Sequence, residues 1–115
     1  MLLDCSFRMH TRLGPGLLES AYEACLAFEL RKAGLSVEKQ KPMPLVYEGE
    51  ILDAGYRIDL MVESRIIVEI KSVEALTDVH LAQILTYLKL SKLHLGLLVN
   101  FNVSSLKNGI RRVIR

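Results

Sequence analysis

Two apolar runs in the middle of the chain carry charges that such runs do not ordinarily hold. One is Tyr56-Arg57-Ile58-Asp59-Leu60-Met61-Val62 and the other is Arg65-Ile66-Ile67-Val68-Glu69-Ile70-Lys71. In a β-strand alternate side chains share a face, so Ile66, Val68 and Ile70 lie on one side and Ile67, Glu69 and Lys71 on the other. Burying an unpaired charge costs several kcal/mol, so these acids need a reason to be there. Glu-x-Lys alone is common, and a Glu69–Lys71 pair at the solvent-facing end of a strand would account for it without any function. Asp59 makes the pattern more demanding. With a two-residue loop at Glu63-Ser64, Asp59 would oppose Val68 and the two acids would face opposite ways. With a three-residue loop, Glu63 to Arg65, Asp59 opposes Glu69. No Asn-Gly or Asp-Gly stands here to favour the two-residue type I′ loop, so the facing register is predicted. Opposed Cβ atoms lie ~4.5–5.5 Å apart, close enough for two carboxylates to grip one divalent cation. Two carboxylates, a backbone carbonyl such as that of Ile70, and waters suit Mg²⁺ or Mn²⁺ rather than zinc. Such an ion would neutralise charge on a scissile phosphate and lower the pKa of a bound water. Lys71, on the same face, would orient that water or stabilise developing negative charge.

Three further positions could join this chemistry. Gln83 and Tyr87 are four apart, so on a helix they share a face, with His80 three before Gln83. A semi-buried Tyr with a neighbouring Gln is the plain alternative. Glu19 falls in the first turn of an earlier helix, where an acid suits the helix dipole whatever its function. It could equally reach over the sheet as a further metal ligand. His10, in a basic segment, is a weaker candidate.

The elements that must position these residues follow from periodicity. Residues 2–13 could form a helix that Gly14-Pro15-Gly16 stops. A second helix is predicted from Leu17 to Ala33, capped by Gly34, with Leu18, Ala21, Tyr22, Cys25 and Phe28 as its buried stripe. Strands are predicted at 35–40, 45–48, 51–62 and 65–71, with two prolines, Pro42 and Pro44, marking an edge or irregular connection. Thr77-Asp78 reads as a helix start with Asp78 as N-cap, the helix running to about Leu90. Leu93 to Phe101 is a continuous apolar run, typical of a strand buried on both faces and, after a crossover helix, a candidate for parallel pairing. The tail from Ser104 could be a short helix or a strand. The sum is one α/β domain, residues 1–115, with a mixed sheet covered by helices.

Composition bounds the reading. The chain has 115 residues, 50% hydrophobic and 24% charged, which excludes an intrinsically disordered protein and suggests either burial on more than one side or an oligomer. The longest charge-free stretch, Leu93 to Leu106, is too short for the ~20 apolar residues of a membrane span. No secretory signal is visible. Cys5 and Cys25 belong to no Cys/His cluster, which argues against zinc and iron–sulfur sites and points to a reducing, cytoplasmic setting. Net charge is +2, yet its distribution is lopsided. Residues 1–78 hold all 13 acids against 9 Lys/Arg, net −4, while residues 79–115 hold 6 Lys/Arg and no acid, net +6. That split permits an acidic metal site beside a phosphate-binding surface, and also arises by chance in a short chain.

The segment Gly16 to Tyr22 reads G-x-x-E-x-x-Y. With Gly14-Pro15-Gly16, the Asp59…Glu69-x-Lys71 array and Leu97-Leu98-Val99-Asn100-Phe101-Asn102, the chain resembles the GxxExxY protein family of the PD-(D/E)XK nuclease-like superfamily. The likeness runs from about His10 to Arg115, and the N-terminal helix is short against the family pattern. The resemblance implies a restriction-endonuclease-like αβββαβ core with an extra N-terminal helix. It implies that Asp59 and Glu69 are the motif acids and Lys71 the motif lysine. Gln83-Ile84-Leu85-Thr86-Tyr87 is similar to the Q-x-x-x-Y motif of RecB-type nuclease domains, where the pair lines the active site, and Glu19 corresponds to an acid many members carry on the first core helix. The chain departs from the pattern in having Ile58 where the motif has proline, and in lacking the four cysteines of cluster-bearing relatives. The function so implied is a Mg²⁺-dependent nuclease on DNA, acting on ends, flaps or single strands, with the basic residues Lys107, Arg111, Arg112 and Arg115 on phosphates. The alternative is a binding or assembly module that keeps the fold with little or no turnover. A homodimer is expected in either case, because so small a core leaves little room for a substrate clamp.

Overall fold

The computed structural model describes every residue from Met1 to Arg115. Its helices are α1 (Leu2–Leu13), α2 (Glu19–Lys32) and α3 (Asp78–Ser91). Its strands are β1 (Val37–Pro42), β2 (Leu45–Tyr47), β3 (Glu50–Leu52), β4 (Arg57–Val62), β5 (Ile66–Lys71), β6 (Leu95–Asn100) and β7 (Ile110–Ile114), the last preceded by a 3₁₀ turn at Leu106–Gly109. Five strands form one sheet in the order β1-β4-β5-β6-β7, and β2 and β3 pair apart as a small hairpin. Only β5 and β6 run parallel, joined by the crossover helix α3; every other neighbouring pair is antiparallel. The class is α/β with a mixed sheet. Leaving the small hairpin aside, α2-β1-β4-β5-α3-β6 is the expected αβββαβ core, with α1 added in front.

Each sheet face has its own core. On one side Tyr22, Leu26 and Leu30 of α2 and Cys5 and Met9 of α1 pack on Leu60, Val62, Val68, Ile70, Leu97 and Val99. On the other, Ile84, Tyr87 and Leu88 of α3 pack on Met61, Ile67, Leu98 and Val113. Strand β6 is therefore buried on both faces, which explains its unbroken apolar run. Gly96 lets α3 sit close: a Cβ there would meet Ile84 Cδ1 at 2.8 Å.

Three local expectations are revised by the structure. The buried stripe of α2 is Tyr22, Leu26, Ala27 and Leu30, whereas Leu18 and Phe28 are 76% and 63% exposed. Leu18 precedes the helix in extended conformation as its N-cap, and Phe28 is two residues from Leu26, about 200° around the helix. The expected strand 51–62 is interrupted because Asp53 Oδ1 accepts the Gly55 N–H at 3.0 Å and Gly55 adopts φ +79°, closing a turn between β3 and β4. Thr77, not Asp78, caps α3. Its hydroxyl accepts the His80 N–H while His80 Nδ1 accepts the Thr77 N–H, a reciprocal box that gives His80 a structural role. The tail is both things considered for it, a 3₁₀ turn followed by a strand.

The tail is held close. A Cβ on Gly109 would collide with the carbonyl oxygen of Asn100. Gly109→Ala is expected to destabilise the protein by about 1–3 kcal/mol, the usual range for overpacking, read as a lower urea midpoint with an unchanged slope.

Candidate active site

The β4–β5 hairpin pairs Val62 with Ile66, Met61 with Ile67 and Leu60 with Val68, so its loop is the three residues Glu63 to Arg65. The next facing pair is Asp59 and Glu69, as the loop length predicts. The turn itself was not foreseeable from residue type. Glu63 and Ser64 both adopt left-handed backbone, φ 55° and 53°. Bonds to Ser36 hold the loop there: Glu63 N–H donates to its carbonyl at 2.8 Å and Glu63 Oε2 accepts its N–H at 3.2 Å.

Beyond Leu60 the backbone ladder stops and the carboxylates take its place. Glu69 Oε2 accepts the Asp59 N–H at 2.9 Å, and Asp59 Oδ2 accepts the Ile70 N–H at 2.8 Å. On its other side β4 pairs with β1 at Leu60–Lys39 and at Ile58–Lys41, and the pair between them, Asp59 and Gln40, is skipped. Gln40 has φ 50°. The alternation of β4 breaks at the same point. Leu60 and Val62 belong to the α1/α2 core, yet Ile58, which strict alternation would place with them, packs on the α3 side. The sheet is thus split at Asp59, and that split makes room for two acids inside an apolar layer.

Around the split stand side chains from three elements. Lys71 Nζ donates to Gln83 Oε1 at 3.4 Å, and Gln83 Nε2 donates to Tyr87 Oη at 3.3 Å, so Gln83 and Tyr87 share one face of α3 and lie beside Lys71. The Tyr56 ring, 41% exposed, packs edge-on against Tyr87 with centroids 6.2 Å apart. From the α2 side Gln40 Nε2 donates both to Glu23 Oε1 at 2.7 Å and to Asp59 Oδ1 at 3.3 Å. Glu23, Gln40 and Tyr56 were not among the expected site residues. Glu23 had a signal, since it lies one turn beyond Glu19 on the same helical face. Gln40 had none.

Glu19 does not join the two acids. Its Oε1 accepts the N–H of Ser72, the residue after Lys71, at 3.1 Å, and Ser72 Oγ donates to the Leu17 carbonyl at 2.6 Å. The rest of the G-x-x-E-x-x-Y segment works the same way. Gly16 N–H donates to Asn102 Oδ1; Tyr22, wholly buried and stacked on Phe101, donates from its hydroxyl to the Gly14 carbonyl at 2.6 Å and accepts the Leu17 N–H. Asn100 completes the clamp, its amide bonded to both the N–H and the carbonyl of Val73. These residues lock the α1–α2 loop, the end of β6 and the segment after Lys71 into one unit. His10 is buried with Nε2 2.8 Å from the Val103 carbonyl, away from the acids.

The basic tail does not gather into one surface. Arg111 and Arg112 are neighbours on β7, so they point to opposite faces of the sheet. Arg111 lies beside Leu76, Leu81 and Leu98, Arg112 beside Leu2, Leu3 and Leu97, Arg115 donates to the Leu93 carbonyl, and Lys107 borders His10 and Thr11. Strand β7 is also the far edge of the sheet, two strands from β5.

The electrostatics of the split are those of two acids short of countercharge. Glu69 is 3% exposed, and burial first, then the charge of Asp59, push its pKa up to about 8 against the pull of the Asp59 N–H and Lys71. Asp59 is raised too, chiefly by burial and also by Glu23, while the Ile70 N–H, Lys71 and Gln40 oppose the rise. Burial and the charges of Glu69 and Asp59 push the Tyr87 hydroxyl up to about 12. Each acid has one oxygen bonded to a backbone N–H. Glu69 Oε1 remains free of the backbone, as does Asp59 Oδ1, which meets only the long bond from Gln40. In a strand the carbonyl leaves the backbone on the same edge as the N–H of its residue, which puts the Ile70 carbonyl on the Asp59 edge of β5. An all-oxygen donor set with unneutralised charge fits Mg²⁺ or Mn²⁺, which take one or two carboxylates and fill the remaining positions with water. No group of three or more His, Cys, Asp or Glu side chains is gathered for a metal ion, and Glu19 is bonded to the Ser72 N–H.

Comparison with curated proteins and with solved structures finds no match. A family model does match, that of the PD-(D/E)XK nuclease superfamily, over residues 1–113. With an acid on each of two adjacent strands, the second followed by x-Lys, and a sheet split where they meet, the chain belongs to the PD-(D/E)XK nuclease superfamily.

Proposed function

We propose that the protein is a Mg²⁺- or Mn²⁺-dependent phosphodiesterase that hydrolyses DNA. The observation that carries this reading is the pair of desolvated carboxylates at the break between β4 and β5, each with one oxygen left over and Lys71 beside them. Asp59, Glu69 and the Ile70 carbonyl would hold the ion. When bound, it would supply charge neutralisation at the phosphate and a water acidified enough to attack. Lys71 positions that water or meets a phosphate oxygen, held on aim by the Gln83 carbonyl. Tyr87, with its pKa near 12, keeps its proton throughout the neutral range. It accepts from Gln83 and has its own O–H to donate, so it serves as a hydrogen-bond donor and not as a base. Glu19 is a positioning residue, fixing the backbone that follows Lys71.

Purified protein with Mn²⁺ and labelled single-stranded, duplex and branched DNA is expected to cleave at least one substrate, and Asp59→Ala to cleave none. Titration calorimetry should show Mn²⁺ binding to the wild type and its loss in Asp59→Ala. Metal and DNA binding with no turnover would instead favour an assembly module on a retained nuclease fold. No difference between the two proteins in metal binding would remove the site. The proposal includes a homodimer, supported by the exposed apolar side chains Phe28, Val46, Ile51 and Ile114; light scattering is expected to give twice the chain mass. No helix is long and apolar enough to cross a membrane.

A further inference from the structure

The end of the sheet that carries Lys71 also carries a second polar depression that the proposed chemistry does not use. It is a cup of about 440 Å³ between the C-terminal end of α1 and the segment after β6, and its polar lining is His10, Thr11, Ser104, Ser105 and Lys107. No carboxylate lines it. Lys107 has no acidic partner among the chain's ion pairs, and no acid exists anywhere after Asp78. His10 and Thr11 are already bonded to the carbonyls of Val103 and Phe7, which leaves the hydroxyls of Ser104 and Ser105 and the Lys107 ammonium to meet a ligand. An acid-free cup with two hydroxyls and one free ammonium is matched to a phosphate oxyanion.

Its place in the fold ties the cup to the end of β5 that carries Lys71. Strands β5 and β6 are parallel and pair Lys71 with Asn100, so the chain leaving β6 emerges beside Lys71, and Phe101 N–H donates to the Lys71 carbonyl at 3.0 Å. That chain runs directly into Ser104 and Ser105. Gly14 and Pro15 form another part of the cup's wall, and the same loop binds Ser72 through the Leu17 carbonyl. The turn carrying Lys107 is pinned by the close approach of Gly109 to Asn100. The cup's wall is therefore continuous with the backbone that leaves β5 after Lys71.

We infer that this cup binds a phosphate of the nucleic-acid strand held at the site, with Ser104, Ser105 and Lys107 as its ligands. This rests on the reading of the protein as a nuclease for the identity of the strand. The shared chemistry is a phosphate, either a terminal monoester or an internal diester.

The test is binding of fluorescent single-stranded DNA, with a 5′-phosphate or a 5′-hydroxyl, to the full chain in EDTA, where no cleavage occurs. Lys107→Ala is expected to weaken binding about 3- to 10-fold at low salt and to reduce the slope of log K against log salt by about one. Ser104→Ala/Ser105→Ala should weaken binding without changing that slope. Lys92→Ala, an exposed lysine elsewhere, should leave both alone. A loss confined to the 5′-phosphorylated strand identifies the terminal monoester, and an equal loss on both identifies the backbone; either supports the cup. Wild-type affinity and slope in Lys107→Ala overturn it, as does a wild type that binds no strand. All these positions are exposed or half-buried, and matching melting temperatures check that the variants fold. Cleavage, measured separately with Mn²⁺, keeps the two readings apart. Cleavage with normal Lys107→Ala binding sinks the cup alone, and an intact Lys107 effect without any cleavage sinks the nuclease reading alone.

Discussion

Lys71→Ala is expected to lower metal-dependent DNA cleavage by about 10²–10³-fold, chiefly in kcat, the usual loss when one preorganised electrostatic stabiliser is removed. The ammonium stands two residues after Glu69 on the same face of β5, and its bond to Gln83 fixes where it points. Removing it takes away the group that would meet the water or the phosphate and leaves the carboxylates in place. Metal binding by calorimetry should therefore persist, unlike in Asp59→Ala. Lys71→Arg is not expected to restore the rate, because a planar guanidinium cannot occupy the place of a compact ammonium in the Gln83 contact. Gln83→Ala should fall between the two, since it loosens Lys71 without deleting it. Cleavage by Lys71→Ala at the wild-type rate would mean that the activity belongs to another protein in the preparation.

Glu69→Gln is expected to stabilise the metal-free protein at high pH. The folded-state pKa of Glu69, about 8, lies above its ordinary value of 4.5. Its neutral form is thus the one the fold prefers. The corresponding stability is fully present below pH 4.5 and is lost as pH rises through about 8. Asp59 is shifted in the same direction and adds to the loss. At ~1.36 kcal/mol for each pKa unit, the effect amounts to several kcal/mol. In EDTA the wild type should lose melting temperature steadily from pH 5 to pH 9. Glu69→Gln keeps an oxygen to accept the Asp59 N–H, removes the charge, and should melt about 10 °C or more above the wild type at pH 8.5. Mn²⁺ should rescue the wild type more at pH 8.5 than at pH 5, because protons compete with the ion for the carboxylates. A wild type whose melting temperature does not move with pH, or a Glu69→Gln variant that melts below it at pH 8.5, would contradict this account.

The two acids recur in both predictions because their juxtaposition is legible in the sequence. A three-residue loop and strict alternation put Asp59 opposite Glu69 and Lys71 on the same side as Glu69. The i, i+4 spacing put Gln83 and Tyr87 on one helical face. These are short-range rules, set by backbone geometry within a hairpin or a turn of helix, although bonds from Ser36 hold the hairpin's own loop in place. The crossover helix made β6 a candidate for parallel pairing with β5, and the two strands do pair in parallel.

What the tertiary structure alone decided concerns how elements lie on one another. It assigned Glu19 to the Ser72 N–H and brought Glu23 toward Asp59 through Gln40, although both acids lie on one face of α2. The choice depends on how α2 sits over the sheet. It scattered Arg111, Arg112 and Arg115, because a cluster in sequence becomes two faces on a strand. It turned Leu18 and Phe28 outward and made the G-x-x-E-x-x-Y segment a clamp. It also split the sheet at Asp59, where neither β1 nor β5 completes the ladder. By itself the sequence determined which residues could act together within an element or across one tight loop, since covalent geometry limits those arrangements to a few. Contacts between elements distant in sequence were left to the packing of the two cores, because helix rotation and strand splay are set by the summed fit of many side chains and not by any local pattern.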